Sequence, residues 1–131
     1  MKKDIEIPVV ENVSIAVVKE WNIEFEMDDW NAYIINQNNQ SIDAVMIVTQ
    51  GFSSYKKTSK FRHMLGTVPA NGSLKIELMQ ESILPFRNEF SVTYFLDNKL
   101  FDKKFIFREN TINERALQDI PTLTNKGVWL R

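Results

Sequence analysis

Cysteine is absent from the 131 residues, histidine occurs once, and glycine and proline occur four times each. The first absence excludes a disulfide framework, thiolate metal sites and cysteine nucleophiles together. A catalytic triad or a histidine-based metal centre would need His63 with partners. No carboxylate lies within thirteen residues of it in either direction, so it reads as a hydrogen-bonded strand histidine. Gly51, Gly66, Gly72 and Gly127 are too scattered for a glycine-rich phosphate loop. No catalytic residue, metal ligand or cofactor is assigned, and the chain is not expected to be an enzyme.

Long apolar runs are missing too. The longest uninterrupted aliphatic stretch is Ile15 to Val18, whereas a membrane-spanning helix needs about 20 residues. The amino-terminal MKKDIEIPVVENVSIAVV places acids and a proline where an export signal needs an apolar core. A cytoplasmic protein with no membrane contact is expected. The Asn-X-Ser sequences at Asn12, Asn39 and Asn71 are accordingly read as turn composition rather than glycosylation sites.

The composition that remains, 44% hydrophobic and 25% charged, suits one ordinary domain large enough to bury a core. Net charge is −1 but segregated: residues 1–43 carry −6, and residues 44–76 carry five bases and no acid. Such a dipolar surface could steer a partner or a second copy of the chain.

Period-two alternation dominates. Val13, Ile15 and Val17, then Trp21, Ile23, Phe25 and Met27, fall on odd positions with polar residues between the later ones, as a half-buried strand requires. Over 20–27 a helical turn would present Trp21 and Phe25 equally well. WNAYIIN (30–36) and IDAVMIVTQGF (42–52) flank the polar QNNQS and read as a hairpin, with the second run apolar on both faces and so mid-sheet. FRHMLGTV and SLKIELM flank PANG, a turn. MQESILPF allows one helical turn before Pro85. NEFSVTYFLDNKLFDKKFIF is a second hairpin; a loop at Asn98 and Lys99 would pair Val92 with Phe105 and Phe90 with Phe107, whereas a loop at Asp97 and Asn98 would pair Val92 with Lys103. The first is favoured, because Asn tolerates the left-handed backbone such a turn needs.

The tail, 111–131, loses the alternation. A short helix over Asn113 to Leu117 and a terminal edge strand at VWLR are expected. About seven short strands with little helix predict an all-β chain, an antiparallel immunoglobulin-like β-sandwich in a single domain. A partly open oligonucleotide-binding barrel is the competing fold. DWNAYIIN, SKFRHMLG, NEFSVTYF and FDKKFIF together resemble a family of short uncharacterised bacterial proteins. What the resemblance implies is a single immunoglobulin-like domain with no assigned activity.

Two candidate binding regions follow. GFSSYKKTSKFRHMLG (51–66) combines Lys56, Lys57, Lys60 and Arg62 with Phe52, Tyr55 and Phe61 and holds no acid, the pairing of cations and aromatic rings that holds single-stranded nucleic acid. The mildly acidic whole counts against that use. Trp129 offers an apolar anchor, for its own domain, another chain or a second copy. The favoured function is therefore a noncatalytic interaction or scaffolding module that binds a protein or itself through edge strands, loops or the tail. Nucleic-acid binding through 51–63 is the alternative. On the first view, removing 121–131 should cost a partner rather than the fold.

Overall fold

Along the first strand Val13, Ile15 and Val17 face one way while Ser14, Ala16 and Val18 face the other, and both rows are buried. That strand must be covered on two sides, and the rest of the chain supplies both covers. The computed structural model describes residues 8–131, so the lysines and acids at 2–6 lie outside the described residues.

Among the described residues eight strands form two antiparallel sheets: β1 (Val13–Asn22), β2 (Met27–Asn36), β3 (Ile42–Phe52), β4 (Phe61–Val68), β5 (Gly72–Met79), β6 (Arg87–Leu96), β7 (Lys99–Phe107) and β8 (Gly127–Leu130). One sheet runs β5-β2-β1-β8, the other β4-β3-β6-β7. They stack as a β-sandwich. One apolar cluster lies between them, with Ile15, Val17, Ala32 and Ile34 from the first sheet against Val45, Ile47, Phe90, Val92, Tyr94 and Phe105 from the second. A smaller cluster on the outer side of β1 and β2, Ala16, Val18 and Ile35, is closed by Ile120 of the tail, with Tyr33, Leu123 and Trp129 packed against it.

The short 3₁₀ turns fall where breakers and caps place them. One, Glu81–Ile83, precedes Pro85. The other, Glu114–Ala116, is capped by Asn113, whose side chain accepts from the Arg115 N–H. No helix of the described residues is long and apolar enough to cross a membrane.

Three expectations are corrected. The runs 30–36 and 42–52 do not form a hairpin, since β2 and β3 belong to different sheets and residues 37–41 carry the chain across. Asn36 explains the crossing: fully buried, it donates to the carbonyls of Gln40, Val68 and Pro69 and accepts from Asn38, tying together two loops at that end of the sandwich. The β6–β7 hairpin turns at Asp97 and Asn98 rather than Asn98 and Lys99, pairing Leu96 with Lys99, Val92 with Lys103 and Phe90 with Phe105. Both registers turn the same side chains inward, so the turn decides. Asp97 and Asn98 take φ of 52° and 60°, a conformation that short polar side chains tolerate and lysine does not favour. Lys103 is accommodated on the inner side of this edge strand with its ammonium 4.7 Å from the Phe105 ring centroid.

The third correction concerns residues 20–27, which form neither one continuous strand nor a helix. The strand ends at Asn22, residues 23–26 turn, and β2 begins at Met27. Asn22 Oδ1 accepts from the N–H groups of Glu24 and Phe25, and Glu26 has φ of 49°. The local side-chain bond offers the backbone a turn in place of the ladder. Asp28 and Asp29 stand in β2 on opposite faces, Asp28 3.7 Å from Lys19 Nζ and Asp29 accepting from Asn22 Nδ2 at 2.7 Å.

Candidate functional site

Strand directions bring the β1–β2 turn, the β3–β4 loop and the β5–β6 connection to one end of the sandwich. At that end the β1–β2 hairpin outruns its neighbours. Pairing of β2 with β5 stops at Trp30 and of β1 with β8 at Val18, while β1 and β2 stay paired to Asn22 and Met27. At about 3.3 Å per residue the arm projects on the order of 10 Å beyond the sheet. Its apolar side chains face solvent: Trp21, Ile23 and Phe25 are 61%, 83% and 72% exposed. Glu24, Glu26 and Asp28 lie exposed among them.

The basic stretch lies at the same end. Residues 53–60 form a loop closed by the Ser53 N–H to the Lys56 carbonyl at 2.7 Å and by a bridge between Phe52 and Lys57. Tyr55 at its tip is 95% exposed, and Lys56, Lys57 and Lys60 are exposed beside it. Phe52 is already engaged, with the Arg87 guanidinium 4.6 Å from its ring centroid. Arg62 is exposed on β4, where it pairs with Val48.

Trp129 is elsewhere. It pairs with Ala16 at the β8 edge of the first sheet, donates its indole N–H to Ser14 Oγ at 2.7 Å, and carries the Arg131 guanidinium 3.9 Å above its ring. The tail is therefore part of the domain's own packing. Its Ile120 and Leu123 cover Ala16 and Val18, and Glu114 is bonded to Lys19, a contact that holds the Glu114 carboxyl below its usual range and raises Lys19.

Between the edge strands β4 and β5, where the two sheets part, lies a cleft of about 370 Å³. Three polar side chains from the inner faces meet there. Glu77 of β5 accepts on the same oxygen, Oε1, from Thr49 Oγ1 of β3 at 2.8 Å and from His63 Nε2 of β4 at 2.6 Å. Sequence reasoning could not pair His63 with Glu77, because the partner sits fourteen residues on, across the gap between sheets. The geometry is not that of a nucleophile and its base. Thr49 gives its hydroxyl hydrogen to the carboxylate instead of to the imidazole, so His63 is not placed to take it. Among the described residues no group of three or more metal-ligating side chains gathers.

The hairpin tip was missed because its alternation imitates a buried strand; the signal that could have marked it is Asn22 followed by acids at every second position. Comparison with protein-family models, with curated proteins and with solved structures finds no match for the chain.

Proposed function

We propose that the chain is a noncatalytic interaction module of the cytoplasm that binds protein, foremost a second copy of itself, through the end bearing the β1–β2 hairpin. The carrying observation is the exposure of Ile23 and Phe25 at the tip of an arm that has left both neighbouring strands behind. Burying one such side chain against a partner contributes about 1.5–3 kcal/mol. Opposite charge supplies the direction. Glu24, Glu26 and Asp28 surround the tip, Lys56, Lys57 and Lys60 surround Tyr55, and both groups occupy one end. A two-fold axis near that end lays each hairpin on the other copy's loop, a self-complementary contact in which both patches are used twice.

Sedimentation equilibrium tests this. Wild type should be a dimer; Ile23→Ser with Phe25→Ser, and separately Lys56→Glu with Lys57→Glu and Lys60→Glu, should each be monomeric and as stable as wild type. Mixing the two variants restores one of the two contacts and should give a weak heterodimer. A wild type that stays monomeric at about 0.1 mM, some hundredfold above a micromolar dissociation constant, would sink self-association.

Tyr55, exposed among lysines, favours a second reading, single-stranded nucleic acid held by stacking and phosphate contact. Anisotropy of a labelled RNA at about 50 and 200 mM salt separates the two, since phosphate contact weakens steeply with salt. The order β5-β2-β1-β8 against β4-β3-β6-β7, with four crossings between sheets, supports an immunoglobulin-like reading and kinship with the short bacterial proteins that the sequence resembles.

A further inference from the structure

The cleft between β4 and β5 is separate from the projecting hairpin and has a charge of its own. The two inner faces are mostly hydrocarbon, yet at this corner Thr49, His63 and Glu77 stand together beside the apolar layer. Lys56, Lys57, Lys60 and Arg62 run close by in sequence, but among the described residues no lysine or arginine lines the cleft, whereas two glutamates do. Glu89 is already neutralised, 2.9 Å from Arg87 Nε and 3.3 Å from Lys104 Nζ. Glu77 takes both its bonds on Oε1, and among the described residues none falls on Oε2. Its side chain is 18% exposed, partly withdrawn from water, where a charged hydrogen bond is worth more than at the surface. Phe61, Ile83 and Phe90 supply apolar walls. The volume falls at the lower end of small-molecule sites, about 300–1,000 Å³.

We propose that this cleft binds a primary ammonium group carried on a compact apolar body, the ammonium donating to Glu77 Oε2 and the hydrocarbon lying on Phe61 and Ile83. His63 and Thr49 are positioning residues: by occupying Oε1 they fix the carboxylate and leave its other oxygen toward the ligand. A carboxylate ligand meets the Glu77 carboxylate and, among the described residues, no lysine or arginine in the lining, and a neutral ligand leaves Glu77 Oε2 without a charged donor. The ammonium comes either from a free amine or from a lysine side chain of a bound protein.

An NMR titration of the full chain with phenethylamine, 2-phenylethanol, 3-phenylpropionate and Nα-acetyl-lysine amide tests the site. Phenethylamine should shift the resonances of Thr49, His63 and Ile83 with a dissociation constant on the order of 1 mM, and the alcohol and the acid should bind at least about tenfold more weakly. Comparable binding of the lysine amide marks a protein side chain as the source, and weaker binding marks a free amine. Glu77→Gln keeps the shape and should lower amine affinity about tenfold while leaving the alcohol unchanged. Ser59→Lys, at an exposed position on the cleft wall, should do the same without touching the Glu77 bonds. Equal or tighter binding of the alcohol or the acid overturns the proposal. So does amine binding that Ser59→Lys leaves intact, or the absence of any shift with either amine at about 20 mM, well above the expected constant.

Discussion

Trp129 Nε1 donates a 2.7 Å hydrogen bond to Ser14 Oγ, joining residues 115 apart in the chain. The bond pins β8 against β1 on the side where Ile120 and Leu123 close the outer cluster. A tail bound in this way belongs to the fold before it can serve a partner.

Replacing Trp129 by Ala removes that bond, the Arg131 stacking and half-buried aromatic surface, and should cost about 2–3 kcal/mol. For a domain of this size the melting temperature should drop by roughly 10 °C. Deleting residues 121–131 should cost more, because β1 loses its β8 neighbour and the outer cluster loses Leu123 as well as Trp129. A truncated chain that melts with wild type in calorimetry contradicts this.

Asn36 is the other long-range tie. Its amide donates to three carbonyls and its oxygen accepts from Asn38. Asn36→Ala should destabilise by about 3 kcal/mol, since buried carbonyls are left unpaired. Asn36→Asp should be at least as damaging, because a carboxylate would face acceptors. Urea titrations of both variants decide; a well-tolerated Asp would show that the amide hydrogens carry little.

The β6–β7 turn makes a local prediction. With Asn98 at φ of 60°, Asn98→Gly should be neutral or stabilising by up to about 1 kcal/mol, while Asp97→Val, forced to φ of 52°, should cost about 1–2 kcal/mol. Equal stability of the two variants would show that the turn tolerates any residue.

Two tyrosines set an alkaline limit. Burial raises Tyr94 to about 12, and burial together with its bond to Glu20 raises Tyr33 to about 12. Unfolded tyrosine ionises near 10, so between about 10 and 12 the unfolded chain loses these protons first and stability falls as pH rises. Below about 10 both states keep them and these groups contribute no slope. Denaturation at several alkaline pH values should show the loss, and Tyr94→Phe should make it shallower.

Strand content was legible because most strands here have one wet face: the alternation of Phe90, Val92 and Tyr94 has no other reading. Sheet membership was less so. A five-residue loop such as 37–41 serves a hairpin and a crossing between sheets alike, and what separates them is Asn36, whose partners lie at Val68 and Pro69. The hairpin arm escaped for a related reason: alternation reports which side chains share a face, not whether a neighbouring strand covers that face. Trp21 pairs with Asp28 on the inner side, yet it lies beyond the last residues that β5 and β8 pair with and is exposed. The cleft was invisible since Thr49, His63 and Glu77 come from three strands.

The β1–β8 ladder, Ile15 with Leu130 to Val18 with Gly127, also fixes an order of events during synthesis. Hairpins β1–β2 and β6–β7 close over a few residues and can form as they emerge, whereas β8 must find β1 across the whole domain. From the end of β2 at Asn36 to the start of β8 at Gly127 the ribosome, adding about 5–20 residues per second, needs on the order of 5–20 s. Throughout that interval Ala16, Val18 and Ile35 present an uncovered apolar stripe, so the nascent chain offers chaperones a binding surface that the finished protein has withdrawn.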